Sequence, residues 1–179
     1  ATAQFQVRYD TRQRIWLMQN SVARVQFQLT PAGHFEFHGF RNLVTGDEWK
    51  APGNLAVSPM RFQSDGEWFN HESSYKLIRQ YARAGERRSY RQTIELQDHA
   101  DTAKVILEYE MYEKLPVLRY RFRYQNLKGT RARVTVNDML PWVFDDRGKA
   151  FRIFYVNQWV DGGRDRKSTR LELQSPNTI

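Results

Sequence analysis

Apolar side chains recur at every second position through most of this chain. Val25, Phe27 and Leu29 alternate with Arg24, Gln26 and Gln28, and Phe35 and Phe37 alternate with His34, Glu36 and His38. The same period runs through Leu107, Tyr109 and Met111, through Tyr120, Phe122 and Tyr124, and through Val134 and Val136. Successive side chains of a strand point to opposite faces, so each run describes a strand with one face in a core. No apolar stripe of period 3.6 extends over a helical length, so almost no helix is expected. Turn formers separate the runs: Pro31-Ala32-Gly33, Thr45-Gly46-Asp47, Asp65-Gly66, Ala84-Gly85, Lys128-Gly129, Asp145-Asp146-Arg147-Gly148 and Gly162-Gly163. Short strands spaced by such turns predict an all-β, antiparallel β-sandwich occupying 1–179 as a single domain.

One hairpin can be read to its register. Glu113-Lys114-Leu115-Pro116 forms a loop between Val105–Tyr112 and Val117–Tyr124, and partners should sum to 229. Met111 then faces Leu118, Tyr109 faces Tyr120, Leu107 faces Phe122 and Val105 faces Tyr124, all on one side. On the other side Glu110 faces Arg119 and Glu108 faces Arg121. A slip of one residue would place arginines in the core, so the pattern selects this register. The opposite-charge pairs contribute about 0.2–1 kcal/mol each, less than the burial of the aromatic side. A strand at about Ser89–Gln97, with Ile94 and Leu96 inward, precedes the hairpin and turns back through Asp98–Thr102. Arg131–Val136 is expected to follow as the fourth strand of one meander. Lys50–Asn70 reads as a long loop with short pieces of strand, Gly162–Thr169 as a turn, and Leu171–Leu173 as a last strand.

With 179 residues, the chain is long enough to bury a core without covalent staples. It contains no cysteine, which removes disulfides, thiolate metal sites and cysteine nucleophiles. No run approaches the roughly 20 apolar residues of a membrane-spanning helix, and no membrane partner is expected. The 28 basic residues outnumber the 20 acidic ones, giving +8. The arginines are scattered from Arg8 to Arg170 rather than clustered on one element, so nucleic acid is not the expected partner. A binding module for acidic polymers, using those dispersed arginines, remains an alternative.

The sequence carries no phosphate-cradling glycine loop, nucleophile elbow or zinc-protease helix motif. His34 and His38 share strand parity but lack a third ligand, so no metal or other cofactor is expected. No carboxylate pair for glycoside hydrolysis can be singled out from sequence. The best candidate for carbohydrate contact is Gly66-Glu67-Trp68-Phe69-Asn70-His71-Glu72. Sugar rings present C–H faces that stack on indole, while their hydroxyls seek carboxylates, amides and guanidinium groups. Glu67, Trp68, Asn70 and His71 are therefore the candidate contacts, with Trp159 as a further aromatic. The competing role for Trp68 is to anchor a loop on the sandwich.

Three stretches carry a family resemblance. Trp16-Leu17-Met18-Gln19-Asn20-Ser21-Val22, running on to Val25-Gln26-Phe27, resembles the opening strands of the β-supersandwich that precedes the catalytic barrel in α-galactosidase-like glycoside hydrolases. Leu43-Val44-Thr45-Gly46-Asp47-Glu48-Trp49 resembles the hairpin that follows. Tyr109-Glu110-Met111-Tyr112-Glu113-Lys114-Leu115-Pro116-Val117-Leu118-Arg119, continuing to Asn126, is the most specific piece. The resemblance implies a galactose-mutarotase-like supersandwich, though the chain is short for a complete one. It implies a non-catalytic, carbohydrate-associated domain of a bacterial glycoside hydrolase, whose partners are carbohydrate, a catalytic barrel or a second copy. Mutarotases of this fold use a His and a Glu as acid and base. Neither His71 nor His99 aligns with such a motif, so a stand-alone epimerase or lyase is the second alternative. The Ala1-Thr2-Ala3 start and the absence of cysteine suit a secreted or periplasmic protein.

Overall fold

The computed structural model describes residues 5–50 and 62–135, together with the backbone of strands at 153–158 and 169–174. The chain divides into two compact units, Ala1–Asp145 and Asp146–Ile179. In the first, strands β1 (Gln6–Asp10), β2 (Ile15–Gln19), β3 (Ala23–Leu29), β4 (Phe35–Asn42) and β5 (Glu48–Lys50) form one sheet in sequential order. A small hairpin follows, β6 (Phe62–Ser64) and β7 (Glu67–Phe69). The second large sheet contains β8 (Tyr75–Ala84), β9 (Ser89–Asp98), β10 (Ala103–Tyr112) and β11 (Leu118–Asn126), in the order β11-β10-β9-β8. Strand β12 (Val134–Thr135) then joins β6 and β7. In the second unit, β13 (Ile153–Gln158) pairs antiparallel with β14 (Thr169–Gln174), which contains the expected last strand. No helix occurs among the described residues.

Alternation decides which faces meet. Trp16 and Met18 of β2, Val25, Phe27 and Leu29 of β3, and Phe35 and Phe37 of β4 are buried against Ile94 and Leu96 of β9 and Val105, Leu107, Tyr109 and Met111 of β10. The rings of Phe27 and Tyr109 lie 4.0 Å apart between centroids, joining the two sheets at the centre. Between β3 and β4 the register shifts at Gln26/Phe27, so that Gly39 and Phe37 take consecutive partners and His38 is the extra residue of a bulge. At the β3–β4 turn, Gly33 has φ of +89°, and a Cβ there would lie 3.0 Å from the Tyr75 carbonyl. That close approach lets the Tyr75 amide donate to the Gly33 carbonyl at 2.8 Å, tying the turn to β8.

The β10–β11 register is the one read from the sequence. Met111 pairs with Leu118, Tyr109 with Tyr120, Leu107 with Phe122, Glu110 with Arg119 and Glu108 with Arg121. The Tyr109 and Tyr120 rings lie 5.2 Å apart. Two expectations need correction. The segment expected as the fourth strand does not extend the meander where it is described: Val134 pairs with Ser64 and Thr135 with Gln63. Asp65 draws the chain away, its carboxylate accepting from the Arg133 amide at 2.8 Å while its own amide donates to the Arg133 carbonyl. The fourth strand of the sheet is instead β8. Trp16 lies on β2, where it pairs with Tyr9 of β1.

The outward carboxylates of this sheet are covered. Glu95, Glu108 and Glu110 are each under one-tenth exposed although they point away from the core. Burial alone would raise the Glu110 pKa. The Ser89 hydroxyl, donating at 2.6 Å, together with Arg91 and Arg119, outweighs it and holds the carboxyl below its ordinary range. A carboxylate with a depressed native pKa adds stability above its unfolded pKa, and that stability is lost as pH falls through the native value. Ser89→Ala is therefore expected to remove about 1.5–3 kcal/mol at neutral pH. The acid-unfolding midpoint, followed by circular dichroism, should move to higher pH. An unchanged midpoint would contradict this role for Ser89.

Candidate functional site

The candidate carbohydrate contact lies on the β6–β7 hairpin and the turn after it. Asp65 and Gly66 both have positive φ, +51° and +86°, as a two-residue turn twisted to suit the flanking strands requires. One face of the hairpin is a greasy base: the Phe62 and Phe69 rings stack at 4.8 Å, with Phe122 and Tyr124 beside Phe62. The Ser64 hydroxyl lies 2.7 Å from the Tyr124 hydroxyl, fixing the hairpin on the edge strand of the sheet. Sequence order then assigns the other residues. Trp68 opposes Gln63, and Gln63 opposes Thr135, so indole, amide and hydroxyl form one row across three strands on the outward face. Trp68 is 42% exposed there.

The remaining candidates do not all join that row. Glu67 is adjacent to Trp68 in sequence and so belongs to the opposite face of β7; its carboxylate lies 3.8 Å from Lys128 Nζ, which is equally close to Asp65. Asn70 builds the turn: its Oδ1 accepts from the Glu72 amide at 2.9 Å, and its own amide donates to the Ser73 hydroxyl. Ser73 in turn donates to the Trp68 carbonyl at 3.0 Å, which fixes the backbone beneath the indole. His71 stands exposed at the tip, with Nε2 4.0 Å from Glu72 Oε1. Trp159 lies outside the described residues, as does Trp142. Gln63 and Thr135 are additions that the sequence reading lacked. Strands of three and two residues are too short for alternation to show which side chains share a face.

Histidines 34 and 38 do not converge. His34 Nδ1 is 3.1 Å from the Ser73 carbonyl, whereas His38 faces Gln26 and Glu36. Among the described residues, no group of three or more His, Asp or Glu side chains could hold a metal ion. The carboxylates of β9 and β10 are engaged with Arg and Lys neighbours, as Glu95 is with Arg79 and Lys104.

Together, the two antiparallel sheets and the small hairpin packed on their edge define an all-β sandwich. Solved structures of similar fold include the GH36 α-galactosidase AgaB from Geobacillus stearothermophilus, with a TM-score of 0.55 and 16% identity over 72% of this chain and 24% of that one. Another is the galactosidase domain of the α-galactosidase-sucrose kinase AgaSK, with a TM-score of 0.60 and 12% identity over 95% of this chain and 29% of that one. The chain thus spans about a quarter of the length of the structures it matches. At these identities the likeness establishes the fold, and it is the fold that the sequence resemblance implied. No family model and no curated protein matches the sequence.

Proposed function

We propose that this chain is a non-catalytic, carbohydrate-associated sandwich of a glycoside hydrolase, presenting the Trp68 row to sugar and packing beside a catalytic barrel. The observation that carries this reading is the exposed indole of Trp68 between an anchored hairpin base and solvent, in line with Gln63 and Thr135. An apolar sugar face can lie on the indole while the amide and hydroxyl meet its polar rim. His71 and Glu67 flank the row from the tip and the opposite face, and Asn70 serves by shaping the turn. The likeness to two α-galactosidases supports an α-galactoside as the ligand.

Calorimetric titration of the full chain with raffinose tests the proposal. Saturable binding at millimolar sugar is expected, and Trp68→Ala should weaken it about fivefold or more, since stacking on one aromatic ring is worth about 1 kcal/mol. A circular-dichroism spectrum like the parent's would show that lost affinity is not lost structure. The absence of heat at saturating sugar, or full retention of affinity by the variant, would rule the site out.

A further inference from the structure

The arginines that look dispersed along the sequence meet on one surface. The register of β8–β11 brings Arg83, Arg91, Glu110 and Arg119 into one row on the outward face of the second sheet. The neighbouring rows bring together Glu108 with Arg121, and Arg79 with Glu95 and Arg123. Lys104 joins the face through its ion pair with Glu95. Lys76 shares the row of Lys104 through Gln97 and is paired with Asp101, so eight cations stand over four carboxylates, an excess of four positive charges on one side of one sheet.

The two signs differ in depth. Glu95, Glu108 and Glu110 are 8–9% exposed, whereas Arg79, Arg119, Arg121 and Arg123 are 58–63% exposed. Apart from Asp101, what faces solvent is therefore almost wholly cationic. On β11 the three guanidinium groups lie 3.6–3.9 Å from Glu110 or Glu108, beyond hydrogen-bond reach. The carboxylates orient these arginines without using up their donors. Alternate residues of β11 stand about 6.8 Å apart and strands about 4.8 Å apart, which spaces the guanidinium forks along and across the strands.

We propose that this face binds a linear polysaccharide bearing carboxylates, a uronate polymer. The guanidinium fork matches a planar carboxylate through two parallel hydrogen bonds, and six of the eight cations here are arginine. The cations run along and across the strands as a track that a linear polymer can follow. A four-stranded sheet face, unlike a helix or a two-stranded ribbon, does not fit a duplex groove, and single-stranded nucleic acid calls for stacking rings. On this face Tyr81 instead carries Arg79 over its ring, at 5.0 Å.

The test is titration of the full chain with polygalacturonate at about 20 mM salt, with dextran sulfate and duplex DNA as parallel arms. Saturable polygalacturonate binding is expected, weakening as salt rises. R119Q/R121Q/R123Q should weaken it at least about tenfold, and R79Q/R83Q on the other edge supplies a second, independent variant if the first misfolds. R12Q/R41Q/R131Q removes the same charge from exposed positions elsewhere and should change affinity by less than about threefold. No polygalacturonate binding would overturn the proposal, as would an equal loss in the control variant. Binding of dextran sulfate alone, or tighter binding of DNA, would overturn the assignment to uronate.

Discussion

Replacement of Phe27 by alanine is expected to cost about 3–5 kcal/mol of stability, the range for deleting a buried aromatic ring from a packed core. Phe27 is 1% exposed and stands where the two sheets touch: its ring stacks on Tyr109 of β10 and packs on Phe35 and Phe37 of β4. The sandwich has no disulfide to limit the loss, since the chain contains no cysteine. Rigid strands on both sides also prevent the walls from collapsing fully into the space left behind. Urea unfolding should show a lower midpoint with an unchanged slope, because the same surface is exposed on unfolding. A loss below about 1 kcal/mol would mean that the sheets do not depend on this contact.

Asn20→Ala is expected to cost about 2–4 kcal/mol, through polar groups rather than packing volume. The side chain is buried and satisfies four backbone groups at once. Its Oδ1 accepts from the amides of Val22 and Ala23 at 2.8 and 2.7 Å, closing the β2–β3 turn. Its Nδ2 donates to the carbonyls of Tyr112 and Leu115 at 2.5 and 2.9 Å, holding the β10–β11 loop against that turn. Alanine leaves all four without this partner, and the Ala23 amide is the most deeply buried of the bonded groups. Asn20→Asp separates the two halves. It keeps the acceptor for Val22 and Ala23 but sets a carboxylate against two carbonyl oxygens. Its cost in chemical denaturation should therefore fall as the pH drops far enough to protonate the new carboxyl. A pH-independent cost would contradict the donor role of Nδ2.

The hairpin of β10 and β11 was legible because two signals agree: apolar pairs on one face, opposite charges on the other, and a short loop between. Strand β8 offered no such agreement. Its register shifts between Leu77 and Arg79, so one extra residue puts Ile78 and the arginines out of step with period 2. As an edge strand it also buries few side chains that could mark a face. The departure of β12 from the sheet rests on its pairing with β6 and on two hydrogen bonds between Asp65 and Arg133, contacts across 68 positions that no local pattern encodes. At the site, Glu67, Trp68, Asn70 and His71 were grouped because they are close in sequence. The pleat separates Glu67 from Trp68, while pairing supplies Gln63 and Thr135 from other strands. The basic face was missed for the same reason. Its arginines are spaced by two along β11 and gathered from β8 and β9 only by register.

The sugar contact proposed for this sandwich lies on the outward row of its small hairpin, Trp68, Gln63 and Thr135. The most direct measurement is a series of amide and indole correlation spectra of the ¹⁵N-labelled chain with increasing raffinose. The Trp68 indole N–H, the Gln63 side-chain amide and the Thr135 backbone amide should shift together and saturate with one Kd, while Trp16 in the core stays still. Spectra that do not change at saturating sugar, or shifts gathered on residues away from the hairpin, would contradict it.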